Sequence, residues 1–402
     1  MDDEKAVPED GYAPIAETRY FTFGDEKNPF VLSCGENLFP VTIAYETYGD
    51  QKNKDRAILV LHALTGDAHA AGYSEKTIEK ARDEGRQPKP GWWHPMIGPG
   101  KPFDTDKFFV VCSNVLGGCR GSTGPSSIDP ASERPYGSRF PFITMKDMVH
   151  AQARLMDHLG IEQIFCVAGG SMGGMQALQW AIAFPDRVRS VIAIACTARH
   201  SAQNIAFYEV GRHSIASDPG FIGGDYYGNE GPRRGLAMAR MMAHITYMSE
   251  KSLQEKFARR VQGAQHIPGH ESFPQFQVNS YLLHQGSSFV DRFDANSYIV
   301  ITRALDYFDP SADFNDDLTM AFDKVNAKFL VISFSSDWHY PPRDSKMIVN
   351  ALRANDIDVT YSDIAADWGH DSFLMHDVID GKLGRLVHSF LENLDEEITD
   401  AK

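Results

Sequence analysis

Short apolar runs alternate along this chain with longer stretches in which apolar residues recur at helical spacing. Strict alternation over Val41–Tyr48 predicts a half-buried strand, and shorter strand-like pieces precede it at Tyr20–Phe23 and Phe30–Ser33. Because helical patterns at 145–159 and 175–184 separate the later apolar runs, the sequence predicts a mostly parallel central sheet. Those uninterrupted runs, which are typical of strands buried on both faces, cover Ala57–Leu61, Phe108–Cys112, Ile164–Ala168 and Val191–Ala195.

The pattern changes beyond the last of these runs. Helical periodicity extends over 200–325 without a buried strand run, and strand patterns return at Lys328–Phe334 and Val359–Ile364. We therefore predict an α/β core formed by residues 1–199 and 326–402, which a helical insertion at 200–325 interrupts. The clearest helical periods in and after the insertion cover 235–248, 297–308 and 382–394.

The stretch CVAGGSMGGMQ at 166–176 has the G-x-S-x-G arrangement, with a predicted strand before it and a predicted helix after it. A serine on such a sharp turn, here Ser171, projects its hydroxyl above the sheet, where a base can reach it. The turn needs backbone angles that bulky neighbours do not tolerate, which accounts for the glycines at 169, 173 and 174. Taken alone, the motif is also compatible with a glycine-rich connection, so the partners of Ser171 decide between the two.

A serine nucleophile needs a histidine base, and the base needs a carboxylate that orients it. Asp337 follows the predicted strand Lys328–Phe334, and His370 follows the predicted strand Val359–Ile364, so both lie at strand ends where catalytic loops gather. Their order along the chain and their loop positions predict the catalytic set Ser171, Asp337 and His370. The alternative acids are Asp344 and Asp363, and the alternative bases are His62, His339 and His376.

Negative charge on a tetrahedral intermediate needs two N–H donors. The first N–H of the helix after Ser171, which belongs to Met172, is one predicted donor. The second is expected in the loop after the strand that ends at Leu61, at Leu64 or Thr65, and we take Leu64 as the principal prediction. The same loop is also compatible with a plain connection between a strand and a helix.

The composition narrows the possible partners. The chain of 402 residues carries a formal net charge of −15, which argues against broad binding to nucleic acid or to an anionic membrane surface. Its five cysteines show no C-x-x-C spacing and its histidines show no metal-binding spacing, so we expect neither a disulfide framework nor a metal. No signal peptide or membrane-spanning run is visible, and we expect a cytoplasmic protein.

Motifs along nearly all of residues 17–392 resemble those of the homoserine O-acyltransferases, a family within the α/β-hydrolase superfamily. The resemblance implies an α/β-hydrolase fold with a mostly parallel central sheet and a helical lid insertion. The motifs are HALTGDAH at 62–69, GWW at 91–93, the run at 97–127 that begins IGPGKPFDTDKFF, GGSMGGMQ at 169–176, QNIAFYEVGR at 203–212, ARMMAHITY at 239–247, the run at 292–309 that begins RFDANSYIV, SSDWHYPP at 335–342 and GHDSFL at 369–374.

The same resemblance implies an acyltransferase of methionine biosynthesis that works in two steps. Ser171 would take an acyl group from acyl-CoA, with His370 as the base and Asp337 holding the imidazole. The hydroxyl of L-homoserine would then take the acyl group from the serine. The insertion would form a lid that excludes water from Ser171 and would supply a two-fold interface, which implies a homodimer.

Three further residues are assigned by the resemblance. By its position in ARMMAHITY, Arg240 corresponds to the residue that receives the substrate carboxylate, and Tyr247 to the aromatic residue beside it. Asp371 corresponds to the residue that receives the substrate ammonium. The chemistry agrees, since a zwitterionic amino acid needs one fixed cation and one fixed anion. Without the resemblance, Arg240 would be interpreted as a solvated helix residue and Asp371 as a helix N-cap.

One position departs from the family pattern. Two residues after the predicted acid, acetyl-using members usually carry Leu and succinyl-using members usually carry Arg, whereas this chain has His339. A histidine there is either a weak cation or a polar lining residue. Because the other motifs resemble the acetyl type, we expect acetyl-CoA as the co-substrate and no permanently bound cofactor. Transfer of a succinyl group, transfer to serine and hydrolysis of an ester remain open as alternatives.

Overall fold

A computed structural model of the protein describes residues 15–85, 87–262 and 276–400. Its centre is one sheet of eight strands. In chain order the strands are β1 (Arg19–Phe23), β2 (Val41–Tyr48), β3 (Ala57–Leu61), β4 (Phe109–Ser113), β5 (Cys166–Gly170), β6 (Ser190–Ile194), β7 (Lys328–Phe334) and β8 (Val359–Ile364). The α-helices are α1 (Glu75–Asp83), α2 (Met145–His158), α3 (Met172–Ala183), α4 (Ala202–Ala216), α5 (Arg233–Tyr247), α6 (Glu250–Phe257), α7 (Gln277–Val290), α8 (Ala295–Asp306), α9 (Leu318–Ala321), α10 (Pro342–Ala354), α11 (His376–Val378) and α12 (Gly384–Asp400).

The strands follow the order β1-β2-β4-β3-β5-β6-β7-β8 across the sheet. β2 runs antiparallel to β1 and to β4, and the other neighbouring strands are parallel. This arrangement confirms the predicted mostly parallel sheet. Every residue of β3, β4, β5 and β6 is buried, as the unbroken apolar runs predict, because helices cover both faces of the sheet.

Neighbouring residues of each central strand enter different hydrophobic clusters. Leu59 and Val167 belong to the cluster that includes α2 and α3, whereas Val60 and Ala168 belong to the cluster that includes α12. The alternation follows because successive side chains of a strand point to opposite faces of the sheet. Each face of the sheet therefore has its own apolar core, and packing against both cores fixes the positions of the strand ends.

Some predicted elements differ from the structure. The strand predicted at Phe30–Ser33 is limited to Phe30–Val31, and it pairs with Asn37–Leu38 instead of joining the central sheet. The helix predicted to begin at residue 175 begins at Met172, because the glycines in its first turn conceal the apolar period. The strand before it extends to Gly170, for the same reason.

The described residues between β6 and β7 form helices α4 to α9 and contribute no strand to the central sheet. α4 packs against α5 and α8, α5 packs against α7, and α5 also contacts the short turn at Gly369–Leu374. The predicted domain boundaries stay a prediction, and residues 1–14, 86, 263–275 and 401–402 of the predicted ranges lie outside the described part. Within that part no helix has the length and apolar character needed to cross a bilayer, and no group of His, Cys, Asp or Glu could hold a metal ion.

The start of α3 lies against the end of β3. In the parallel register Gly169 lies opposite Leu61. A side-chain carbon at Gly173 would overlap the carbonyl oxygen of Leu61, and one at Gly169 would lie 2.5 Å from the backbone of Gly173. Glycine at both positions therefore allows α3 to begin directly beside the loop that follows β3.

We expect Gly173→Ala to lower the free energy of unfolding by about 1–3 kcal/mol, because the added carbon must displace α3 or β3 in a filled core. Denaturant and thermal unfolding measure the change. A Gly173→Ala protein as stable as the wild type would contradict this account of the packing.

Candidate active site

Ser171 lies in the turn between β5 and α3 and is the N-cap residue of α3. Its backbone has φ 58° and ψ −122°, a combination that residues other than glycine rarely adopt. Packing holds the turn on both sides: a side-chain carbon at Gly170 would lie 2.5 Å from the ring of Phe373, and one at Gly174 would lie 2.7 Å from Cys196. The strained turn therefore presents the Ser171 hydroxyl at the carboxyl edge of the sheet.

Ser171, His370 and Asp337 form a continuous hydrogen-bonded chain. His370 Nε2 is 2.8 Å from Ser171 Oγ, and His370 Nδ1 is 2.8 Å from Asp337 Oδ2. With the Nδ1 proton donated to the carboxylate, Nε2 is free to accept the serine proton. All three residues are buried, the most exposed being Ser171 at 8%. The structure thus brings together the three residues that chain order selected.

Several groups fix Asp337 and set the basicity of His370. Besides His370, the Asp337 carboxylate accepts the backbone N–H groups of His339 and Tyr340, each at 2.9 Å. Burial disfavours the charged form of His370, but the charge and the hydrogen bond of Asp337 outweigh burial and raise the pKa of His370 above the ordinary histidine value. An imidazole of raised pKa is a stronger base toward a hydroxyl.

The alternative acids and bases lie in other environments. Asp363 accepts a hydrogen bond from a serine of β7, and Asp344 pairs with its neighbouring arginine. His62 uses both ring nitrogens on backbone groups, and His376 is exposed. Among the described hydrogen bonds, none joins any of these side chains to Ser171.

Met172 and Leu64 lie on the two segments that the approach of α3 to β3 brings together. Among the described residues, the backbone N–H of neither one donates to a protein group. The carbonyl of Ala63, in the peptide bond that precedes Leu64, is bonded to the ring Nδ1 of His62 at 2.7 Å and to the N–H of Gly66 at 2.9 Å. Both N–H groups are therefore available to an anion, as an oxyanion hole requires, and their role as its donors stays a prediction.

Arg240 and Asp371 supply opposite charges beside the hydrogen-bonded chain. Arg240 Nη1 is 3.5 Å from Thr65 Oγ1, the guanidinium lies 4.9 Å from the ring of Phe289, and its Nε is buried without a hydrogen-bond partner. In the described part of the chain the Asp371 carboxylate makes no hydrogen bond or ion pair. Burial raises the pKa of Asp371, while the charges of His370 and Arg240 oppose that rise. A cation with an unused donor and a carboxylate without a partner suit a zwitterionic ligand.

Tyr247 and His339 form an aromatic wall against His370. The Tyr247 ring lies 5.6 Å from the His370 ring, and the His339 ring lies 5.0 Å from it. Burial, followed by the nearby charges of His370 and His200, holds the pKa of His339 well below the ordinary histidine value. Of the two interpretations of His339, this direction favours a neutral polar lining residue over a weak cation, and the role of His339 stays a prediction.

The sequence analysis missed buried histidines of the insertion. His200 Nδ1 is 2.9 Å from Asp306 Oδ1, and its Nε2 is 2.7 Å from the hydroxyl of Tyr340, next to the loop of Asp337. His244 on α5 is 3.0 Å from the hydroxyl of Tyr281, and burial and nearby cations lower its pKa to about 3. These partners are far apart in the chain, so no motif spacing could have indicated them.

This fold and this site define a class of protein. The sequence model of the alpha/beta hydrolase fold family matches residues 56–377, and the chain belongs to that family.

Two curated relatives indicate a narrower class of enzyme within this family. The chain is 52% identical over 384 residues to the homoserine O-acetyltransferase of Methanosphaerula palustris, which covers 95% of this chain and 74% of the relative. It is 53% identical over 350 residues to the homoserine O-succinyltransferase of Alkalilimnicola ehrlichii, and the match covers 86% of this chain and 88% of that relative. The chain therefore belongs within the homoserine O-acetyltransferase family and is an acyltransferase.

Two solved structures share the fold over 94% of this chain. The homoserine O-acetyltransferase from Bacillus anthracis superposes with a TM-score of 0.84 at 25% identity, with 98% of that chain covered. Esterase E22 superposes with a TM-score of 0.81 at 27% identity, with 100% of that chain covered. Proteins named for acyl transfer and for ester hydrolysis thus share this architecture, so fold alone does not identify the acceptor.

We expect Asp337→Asn to lower kcat by about four orders of magnitude, because an amide favours the wrong tautomer of the histidine. In the wild type the rate of acyl-enzyme formation should rise with pH through a value above the ordinary histidine pKa, since His370 acts in its neutral form. Without the carboxylate, the midpoint of that rise should move to lower pH. Hydrolysis of p-nitrophenyl acetate, followed across the pH range, measures both effects.

Asp363→Asn is the matched control for this substitution. Asp363 lies near the end of β8, which pairs with the strand that precedes Asp337, and it is not bonded to His370. Its replacement should leave the pH profile unchanged. A wild-type profile in the Asp337→Asn protein would remove Asp337 from the catalytic set.

Proposed function

We propose that this protein transfers an acetyl group from acetyl-CoA to the hydroxyl of L-homoserine. The observation that carries the proposal is the pair of unsatisfied charges, Arg240 and Asp371, beside the hydrogen-bonded chain of Ser171. An amino-acid acceptor presents one carboxylate and one ammonium group, whereas water needs neither partner. Both curated relatives are named for homoserine, which supports the same acceptor.

In the first step Ser171 attacks the thioester carbonyl while His370 takes the hydroxyl proton. The carbon–sulfur bond then breaks, CoA leaves as the thiol with the proton from His370, and the acetyl group remains on Ser171 as an ester. The N–H groups of Met172 and Leu64 stabilise the oxyanion that forms between these events. Asp337 stabilises the imidazolium form of His370 throughout.

In the second step the homoserine hydroxyl attacks the ester on Ser171. His370 takes the hydroxyl proton and returns it to the Ser171 oxygen as the ester bond breaks, which regenerates the free enzyme. Arg240 binds the acceptor carboxylate and Asp371 binds its ammonium group, with Tyr247 packed beside them. Because the acceptor is bound through both charged groups, its hydroxyl is oriented for attack on the ester.

Hydrolysis of an ester is the second candidate, and the similarity to esterase E22 favours it. Both reactions pass through the same acyl-serine and differ only in the nucleophile that removes the acyl group. Acyl transfer requires that water be kept away from the ester. The burial of Ser171 and the contact of α5 with the turn that carries His370 support such exclusion.

Acetyl is the proposed acyl group, rather than succinyl. A succinyl chain would bring a second carboxylate near the site, and burying it without a cation is costly. Burial favours the neutral form of His339, and the carboxylates of Asp337 and Asp371 both act on His370. Because the proposal assigns Arg240 to the acceptor carboxylate, it leaves no further cation for a succinyl group. The relative named for succinyl transfer is 53% identical to this chain, so identity alone does not separate the two donors.

We further propose a cytoplasmic homodimer that acts in methionine biosynthesis, without nucleic-acid or membrane partners and without a permanently bound cofactor. Apolar side chains exposed on α5 and α7 support the dimer, with Met238 and Leu283 each 60% exposed. Free cysteines fit a reducing compartment. The acidic net charge fits the absence of polyanionic partners. The pathway follows from the family resemblance.

The test of the proposal is a matrix of two donors and two acceptors. We expect CoA release to be fastest with acetyl-CoA and L-homoserine, and to fall about ten-fold or more when succinyl-CoA or L-serine replaces its counterpart. Because His339 stays neutral, the ratio of the two donors should not change as the pH falls from about 8 to about 6. Preference for succinyl-CoA, or CoA release that is independent of the amino acid, would contradict the proposal.

Arg240→Ala should raise the KM for homoserine about ten- to a hundred-fold and leave the KM for acetyl-CoA unchanged. The reason is that the acceptor carboxylate loses a charge-assisted contact worth about 1.5–3 kcal/mol. Steady-state rates with each substrate varied in turn give both constants. Arg234→Ala is the matched control, since Arg234 is exposed on the same helix. An equal rise in both KM values would make Arg240 a structural residue of the insertion.

A further inference from the structure

A buried glutamine joins the two segments that carry the predicted oxyanion donors. Gln176 lies one turn into α3 and has no exposed surface. Its Nε2 is 3.3 Å from the carbonyl oxygen of His62 and 3.4 Å from that of Met172. One amide group is therefore shared between the loop that carries Leu64 and the helix start that carries Met172.

The orientation of this amide follows from its neighbours. The indole N–H of Trp180 is a donor only, and it donates to Gln152 Oε1 at 2.8 Å. Gln152 must then present its Nε2 to Gln176, where it donates to Oε1 at 2.7 Å. Gln176 in turn must direct its own Nε2 toward the carbonyl groups, which can only accept. The hydrogen bonds of Trp180, Gln152 and Gln176 therefore all run in one direction. This buried row ends at the two segments that carry the predicted oxyanion donors.

The loop that carries Leu64 is also held at the peptide bond between Ala63 and Leu64. Val115 donates its N–H to His62 Nε2 at 3.1 Å, so the ring carries its proton on Nδ1 and donates to the Ala63 carbonyl. Burial holds the pKa of His62 below the ordinary value, which keeps the ring neutral and this pattern intact. A trans peptide points its N–H away from its carbonyl, so holding the Ala63 carbonyl aims the N–H of Leu64.

We propose that Gln176 is a positioning residue for acyl transfer, which sets the separation between the N–H donors of Met172 and Leu64. His62 orients one peptide bond, and Gln176 ties that loop to the start of α3. The inference rests on the proposed function for its natural substrates but requires only that an acyl group pass through Ser171. Both half-reactions use the same two donors, so both should depend on Gln176 to the same degree.

The test replaces Gln176 with Met, which keeps the length of the side chain and removes its hydrogen bonds. Loss of an oxyanion donor costs about a hundred- to a thousand-fold in kcat, so a displaced donor should cost about ten- to a hundred-fold. We expect that fall in kcat for acetyl transfer to homoserine and an equal fall for hydrolysis of p-nitrophenyl acetate. The KM for each substrate should change less than about two-fold, because ground-state contacts are untouched.

Two further variants complete the test. Gln176→Leu removes both the donors and the acceptor without adding a charge, so it should reproduce the fall in kcat. Gln179→Met is the matched control: Gln179 is a buried residue of the same helix, 3% exposed, and makes no side-chain hydrogen bond among the described residues. It should keep kcat within about two-fold of the wild type. Thermal unfolding of every variant shows which proteins are folded at the assay temperature.

The outcomes separate this inference from the proposed function. Wild-type kcat in folded Gln176→Met, a change confined to KM, or unequal losses in the two reactions would overturn the positioning role. Failure of both Gln176 variants to fold would also overturn it, since Gln176 would then be a requirement of the fold. A wild-type protein that hydrolyses p-nitrophenyl acetate but does not acetylate homoserine would remove the proposed function, and ester hydrolysis alone would still measure the effect of Gln176.

Discussion

The backbone of Ser171, held at a positive φ between β5 and α3, is the constraint on which the active site depends. A conformation of this kind costs on the order of 1–3 kcal/mol and persists only where the surroundings over-determine it. Here the surroundings are a strand buried on both faces and a helix whose first glycine lies against the carbonyl of Leu61. One packing arrangement thereby fixes the Ser171 hydroxyl, the N–H of Met172 and the distance to the loop of Leu64. Larger residues at these glycines would separate all three.

Two carboxylates act on His370, and their environments give them different tasks. Asp337 accepts two backbone N–H groups as well as the imidazole, so its charge is fully used within the protein. Asp371 adjoins the histidine in sequence, has no hydrogen-bond partner among the described residues and has a pKa raised by desolvation of its carboxyl group. These environments agree with the proposed roles, in which Asp337 supports the base and Asp371 binds the acceptor. Titratable groups whose environments differ in this way often divide the work of a site.

Strands with a clear apolar pattern could be predicted from the sequence. Features that depend on contacts between distant segments of the chain could not. The bounds of Val41–Tyr48, Ala57–Leu61 and Lys328–Phe334 coincide with the structure, because apolar patterning specifies buried strands directly. The start of α3 was predicted at residue 175 instead of Met172, because the glycines of its first turn show no apolar period. The hydrogen-bonded set of Ser171, Asp337 and His370 could be predicted from chain order and loop positions. The lowered pKa of His339 could not, because it depends on how completely the ring is buried. Gln176 gave no signal, since its partners come from separate elements.

Water and the amino acid compete for the same acyl-serine, and this competition explains why a transferase would keep unsatisfied charges. The Nε donor of Arg240 has no protein acceptor among the described residues and is available to a bound carboxylate. An esterase has no need of such a group, because water needs no recognition. For acyl transfer, the same groups hold the acceptor at an effective concentration that can exceed that of bulk water by several orders of magnitude. Under the proposed function, a bound zwitterion would satisfy Arg240 and Asp371 together, which would couple removal of the acyl group to the presence of the acceptor.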